Sequence, residues 1–220
     1  MAVGCRKLHR MINVDIQKLN QELKDLSPLE IVRWAANLGK KMIGSTSFAP
    51  NAASMIHVIT QAEPSTPIIW VDSGYNVPDT YRAAQTIMAK LNPNMQIYIP
   101  QWTAERRNAI MGGIPHPDDD PEVHEEFTRQ VKLEPFQKAL EDLQPEIWVS
   151  GIRREETEFR KNLDILSWDN RGILKVAPFF YWSEEQIEDY MAEHDLPSSR
   201  HYFDPTKVED GRECGLHTSA

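Results

Sequence analysis

Apolar positions along the chain fall into blocks of differing period. Over residues 28–38, Ile31, Trp34, Ala35 and Leu38 share one face at helical spacing. Ser27 offers an N-cap, Pro28 a first-turn proline and Glu30 a capping-box acid, and Gly39 ends the run. Residues 41–46 read as a short strand, residues 45–51 as a turn, and a helix is predicted from about Ala52 to Thr60. Residues 67–72 (PIIWVD) are apolar without alternation, the pattern of a strand buried on both faces. Ser73-Gly74 breaks it, and the next predicted helix spans Pro78 to Leu91. Further strands are predicted at residues 95–99, 146–150 and 173–176, with a helix over 129–142. Ser183 with Gln186 forms a capping box for a helix of about ten residues.

Strands alternating with helices predict an α/β fold: a twisted, mostly parallel sheet with helices on both faces. The sequence contains no internal repeat and no low-complexity segment. After Leu196 the pattern dissolves, so residues 1–200 read as one α/β domain and residues 201–220 as a mobile C-terminal tail. Open parallel sheets bind ligands at the carboxyl ends of their strands. That rule singles out three loops: Ser45–Asn51, Asp72–Pro78 and Ser150–Arg160.

Composition narrows the function classes. The 220 residues are 40% hydrophobic and 26% charged, enough for a substantial core and too apolar for wholesale disorder. No apolar run approaches the ~20 residues of a membrane span, and the N-terminus lacks the apolar region of a signal peptide. The expected setting is cytoplasmic, with no membrane partner. A net charge of −9 argues against nucleic acid as a partner, but a local basic cluster can still hold a small anion. The only cysteines are Cys5 and Cys214, one near each terminus. They make a poor disulfide framework and cannot alone supply a four-cysteine iron–sulfur cluster or zinc site. A cysteine with chemistry here works singly, and no cofactor is expected.

Each candidate motif carries two readings. Ser45, Thr46 and Ser47 stand between a strand and a helix N-terminus, where free N–H groups and hydroxyls suit a phosphate; an ordinary hydroxyl turn would look the same. Asp72, followed by Ser73, Gly74 and Tyr75, could accept from a ribose or adenine amine, or simply cap a helix. Gly151, Arg153, Arg154 and Arg160 follow a strand end, and Lys132 and Lys175 could join them. They form either an anion-binding cluster or a solvated face paired with Glu155, Glu156 and Glu158. His116 and His124 flank Asp118-Asp119-Asp120, but Asp120 as N-cap with Pro121 behind it explains that segment as a helix start rather than a metal site. His57 reads as packed. Near the C-terminus, Arg212 and His217 flank Cys214 and could raise its thiolate fraction; an inert exposed thiol is the alternative.

Taken together, these segments resemble the thioredoxin-dependent phosphoadenylyl-sulfate (PAPS) reductases without an iron–sulfur cluster. The resemblance runs from about Leu29 to His217. It is carried in order by Ser45-Thr46-Ser47-Phe48, by Asp72-Ser73-Gly74-Tyr75 continuing to Arg82, by Lys132-Leu133-Glu134-Pro135, by Gly151-Ile152-Arg153-Arg154-Glu155, by Lys175-Val176-Ala177-Pro178 and by Glu213-Cys214-Gly215-Leu216-His217. It implies an adenine-nucleotide α-hydrolase-like (Rossmann-like) fold and reduction of PAPS to sulfite and adenosine 3′,5′-bisphosphate in sulfate assimilation. It also implies Cys214 as the nucleophile that forms an S-sulfocysteine, and thioredoxin or glutaredoxin as reductant. Ser45, Thr46, Ser47, Asp72, Gly74, Lys132, Gly151, Arg153, Arg154, Arg160, Lys175, Arg212 and His217 become the implied substrate contacts, and a homodimer the carried-over assembly. The sequence departs from the family pattern twice. Ala49-Pro50 follows Phe48 where a glycine is usual, and the segment from Pro197 to Gly211 is short, without the usual Gly-Asp and paired-threonine stretch. A cluster-free reductase acting on adenylyl sulfate (APS) and a nucleotide-binding homologue with impaired catalysis are the alternatives.

Overall fold

The computed structural model describes residues 15–199, 201–207 and 216. Its centre is a six-stranded sheet built from β1 (Met42–Thr46), β2 (Ile68–Val71), β3 (Met95–Tyr98), β4 (Ile147–Val149), β5 (Leu166–Trp168) and β6 (Leu174–Val176), in the order β3-β2-β1-β4-β6-β5. Every pairing is parallel except β5 with β6. The helices are α1 (Ile16–Leu23), α2 (Pro28–Asn37), α3 (Ala52–Ala62), α4 (Pro78–Leu91), α5 (Ala104–Met111), α6 (Pro121–Thr128), α7 (Glu134–Leu143) and α8 (Glu184–Glu193). The mostly parallel α/β fold expected from the sequence is the fold observed.

Strand alternation sorts the side chains into two cores. Met42, Ile68, Trp70, Ile147, Val149, Leu174 and Val176 pack on one face with α2, α3, α4 and α8. Ile43, Ile69, Trp148 and Ile173 take the other face, against Phe136, Ala139 and Leu140 of α7. Successive side chains on a strand point to opposite faces, so unbroken apolar runs were the right signal for strands covered on both sides. The capping boxes at Ser27–Glu30 and Ser183–Gln186 both form.

The helix expected over residues 129–142 is present, but its first turn is π-helical. One wide π-helical turn at Arg129–Leu133 separates α6 from α7, with Glu134 N–H donating to Arg129 O. Pro135 has no N–H to donate, so the bonding register can widen beside it at little cost. This turn carries Lys132. The short antiparallel β5 and the helices α1 and α5 add to the expected elements.

Gly44 of β1 sits where α3 comes closest to the sheet, and a Cβ built there would lie 2.5 Å from Ile59 Cδ1. Gly44→Ala is therefore expected to cost about 1–3 kcal/mol through overpacking, read as a lower urea midpoint. An unchanged midpoint would mean that Ile59 yields without strain.

Candidate functional site

The chain runs outward from β1 through β2 to β3, then crosses back to lay β4 on the other side of β1. Parallel sheets open a crevice at such a reversal, outside the carboxyl ends of the two diverging strands. A cleft of about 380 Å³ lies there. Its walls are the loop after β1, the start of α3, the segment after β4, the π-helical turn at Lys132, and Tyr202, Asp204 and Lys207.

The loop after β1 is held by its own hydroxyls and one buried ring. Trp148 Nε1–H donates to Ser45 Oγ at 2.8 Å, tying β4 to β1 at the cleft floor. Phe48 N–H donates to Thr46 Oγ1 at 3.1 Å. Phe48 adopts φ 54°, a left-handed conformation that a bulky residue rarely takes. Full burial, with its ring edge-on to Trp70 at 4.8 Å, holds it there. Ser45, Thr46 and Ser47 all line the cleft beside the first turn of α3. Asn51, the residue before that helix, makes no side-chain cap; its amide instead donates to Glu184 Oε1 at 2.7 Å. Ser150 follows β4 with a buried hydroxyl that has no partner among the described residues, and Gly151 lines the cleft next to it.

Opposite this loop stand the cations. Arg153 and Arg160 are buried to 8% and 5% exposure, which requires that their charges be compensated. Arg153 Nη1 donates to Glu155 at 2.5 Å, Nη2 bonds Glu184, and Nε lies 3.9 Å from Glu156. Arg160 bonds Glu156. Lys132 Nζ reaches Asp204 Oδ2 at 2.5 Å and Thr206 Oγ1 at 3.2 Å. Lys132, Arg153, Arg160 and Lys207 thus face the cleft together with Glu156, Glu184 and Asp204. Arg153 and Arg160 line a strand-end cleft and pair with glutamates, but their burial departs from the solvated face that one reading of the segment expects.

The expected tail begins inside the cleft wall. Asp204 Oδ1 accepts from the Thr206 N–H at 3.0 Å and from its hydroxyl at 2.6 Å, while the other oxygen pairs with Lys132. Burial pushes the Asp204 carboxyl up, but the Lys132 charge and these hydrogen bonds outweigh it and hold it below the ordinary value of 3.8. Leu216 packs against the core on the α7 face of the sheet and also lines the cleft. Cys5, Arg212, Cys214 and His217 lie outside the described residues.

Four of the sequence candidates lie outside the cleft lining. Asp72 Oδ1 accepts from Gly74 N–H at 3.0 Å, Asn76 Nδ2 at 3.0 Å and Tyr81 Oη at 2.8 Å, so Asp72 and Gly74 organise the turn after β2. Burial, with the Asp72 bond behind it, pushes the Tyr81 hydroxyl up to about 12. Arg154 is exposed, its guanidinium 6.0 Å from the Tyr181 ring. Lys175 points to the α7 face, its ammonium 5.2 Å from the Trp148 ring centroid. Arg153 is extended while Arg154 begins a short 3-10 turn (Arg154–Glu156), and the two neighbouring side chains part there. Asp120 caps α6 through Val123 N–H, as the helix-start reading expects, and His57 is packed with its Nδ1 2.7 Å from Tyr190 Oη. Among the described residues no helix is long and apolar enough to cross a membrane. Asn51 and Ser150 lie in loops that the sequence singles out, though not among its candidate contacts, and Glu184, Asp204 and Lys207 escaped the sequence reading. Only Asp204-Pro205-Thr206 carried a signal, that of an Asx turn.

The model of the phosphoadenosine phosphosulfate reductase domain matches residues 41–204. A phosphoadenosine 5′-phosphosulfate reductase of Vibrio atlanticus is 37% identical, aligned over 91% of this chain and 85% of its own. The enzyme of that name from Synechocystis is 32% identical over 92% of this chain and 81% of its own. Among solved structures, PAPS reductase from Candida auris in a phosphate complex superposes with TM-score 0.72 at 23% identity, over 90% and 92% of the two chains. FMN adenylyltransferase from Candida glabrata shares the fold more distantly, with TM-score 0.58 at 10% identity over 86% and 61%.

Because the folded-state pKa of Asp204 is depressed, the stability it contributes is present above its ordinary value and is lost as pH falls through the lowered one. Protection from hydrogen exchange at residues 202–207, taken relative to the intrinsic rate at each pH, is expected to be high at neutral pH and to fall below about pH 4. Asp204→Asn should raise exchange at neutral pH and flatten that dependence. Protection independent of pH in the parent chain would show that the Lys132–Asp204 pair does not seat the segment.

Proposed function

The chain belongs to the phosphoadenosine phosphosulfate reductase domain family, and from that premise we propose that it reduces PAPS to sulfite and adenosine 3′,5′-bisphosphate. The observation that carries this reading is the cleft at the sheet reversal, where the hydroxyls of the β1 loop face Lys132, Arg153 and Arg160. A nucleotide with a phosphosulfate and a separate phosphate needs several anion-binding groups around one pocket. This cleft offers them on a chain whose net charge is −9.

In the proposed reaction, the Cys214 thiolate attacks the sulfur of the sulfuryl group. A sulfur–sulfur bond forms, the sulfur–oxygen bond to the phosphate breaks, and adenosine 3′,5′-bisphosphate leaves with the electron pair. Lys132, Arg153 and Arg160 stabilise the charge that develops on the leaving phosphate. Reduced thioredoxin then attacks Cys214 Sγ, sulfite departs, and the second thioredoxin thiol closes a disulfide within thioredoxin. The dithiol supplies the two electrons that sulfur gains. Two features of the chain support the role given to Cys214: it is separated from Cys5 by almost the whole sequence, and it stands two positions from Leu216, which lines the cleft.

The reaction is tested by sulfite release from PAPS and from APS with reduced thioredoxin, with intact-protein mass recorded without thioredoxin. Sulfite from PAPS and a sulfonate adduct on Cys214 are expected. Sulfite chiefly from APS would move the substrate assignment, and neither sulfite nor adduct on a chain that binds nucleotide would leave a binding protein. Cys214→Ser should lose sulfite release and keep nucleotide affinity; turnover by that variant would overturn the mechanism. Arg153→Ala should weaken binding of adenosine 3′,5′-bisphosphate roughly tenfold to a hundredfold, whereas Arg154→Ala should stay within about threefold. Equal losses from the two would show that Arg154 also reaches the ligand.

A further inference from the structure

The Glu184 side chain spans the cleft. It projects from the first turn of α8, where its charge suits the helix N-terminus, and half of it is exposed. One oxygen, Oε1, accepts from Asn51 Nδ2 at 2.7 Å, and the other, Oε2, from Arg153 Nη2. Asn51 ends the β1 loop, and Arg153 follows β4. The carboxylate therefore bridges the two strand ends between which the cleft opens.

We propose that Asn51 and Arg153 form an anion subsite for a phosphate or sulfate group of the nucleotide, and that Glu184 occupies this subsite until the nucleotide displaces it. The inference rests on the nucleotide reading given above and deepens it by adding one binding residue and one competitor. Three observations support it. First, Asn51 stands at the N-cap position of α3 yet makes no side-chain cap, so its amide is directed at the carboxylate instead. Second, a carboxylate held by an amide N–H and a guanidinium N–H has the same donors that a phosphate or sulfate oxygen pair would take. Third, Glu155 and Glu156 also contact Arg153, so the guanidinium keeps counter-ions when Glu184 leaves. Release is then an exchange of anions and strands no buried charge. Glu184 itself stays solvated at the mouth of the cleft, so its departure carries little desolvation cost.

The test is a set of calorimetric titrations of the full chain, Glu184→Gln and Glu184→Ala with adenosine 3′,5′-bisphosphate and with adenosine, alongside thermal-shift titrations with inorganic sulfate. Both variants are expected to bind the bisphosphate roughly three- to tenfold more tightly than the parent, to bind adenosine equally, and to gain more stability from sulfate. Adding Asn51→Ala to Glu184→Ala should remove most of the gain, which an effect on general surface charge would leave in place. No gain with either anion in either variant overturns the proposal, since Glu184 would then be a strut that remains beside the ligand. If no chain binds the bisphosphate but both variants gain from sulfate, the anion subsite stands and the nucleotide reading fails.

Discussion

The parallel pairing of β1 with β4 is the constraint on which the site depends. The chain has already laid β2 and β3 on one side of β1 before it returns, over α6 and α7, to pair Met42 with Ile147, Ile43 with Trp148 and Gly44 with Val149. Two loops that would otherwise diverge are thereby held facing one another across a crevice. Trp148 strengthens the link at the point that matters. Its ring fills the α7-side core beside Phe136, while its indole N–H reaches Ser45 near the carboxyl end of β1. Core packing and site geometry share one side chain.

Charge compensation is the second theme. A buried guanidinium without a counter-ion is costly, so the cations that line this cleft need partners within the chain. Here the partners are the chain's own carboxylates: Glu155, Glu156 and Glu184 on Arg153, Glu156 on Arg160, and Asp204 on Lys132. They differ in consequence. Asp204 is deeply placed and also bonds Thr206, so it seats residues 201–207 as part of the wall, whereas Glu184 is half exposed and tied to a single turn of helix. An acidic protein can in this way bury cations along a cleft without exposing a basic surface.

Most of the fold was legible because each of its signals is local. The unbroken apolar runs at residues 67–72 and 146–150 report burial on both faces, and the boxes at Ser27 and Ser183 mark helix starts. The elements that escaped lack such signals. The helix α5 reads AERRNAIM, with almost no amphipathic pattern, and β5 has three residues of which Trp168 is exposed. The π-helical turn at residues 129–133 left no mark beyond Pro135, since periodicity cannot distinguish it from a regular turn.

The site divides in the same way. Sequence alone determined the α/β class, the three strand-end loops worth inspecting, the hydroxyl run Ser45–Ser47 and the basic run after β4, because hydropathy period and residue chemistry are written position by position. Which of two adjacent arginines faces the cleft, and that Asp72 closes its own turn while Lys132 reaches Asp204, only the tertiary structure decided. Those outcomes depend on strand order and on pairs separated by tens of residues. Glu184 is the clearest case. Its 133-residue separation from Asn51 makes the contact invisible along the chain, and it exists because the sheet brings the ends of β1 and β4 to the start of α8.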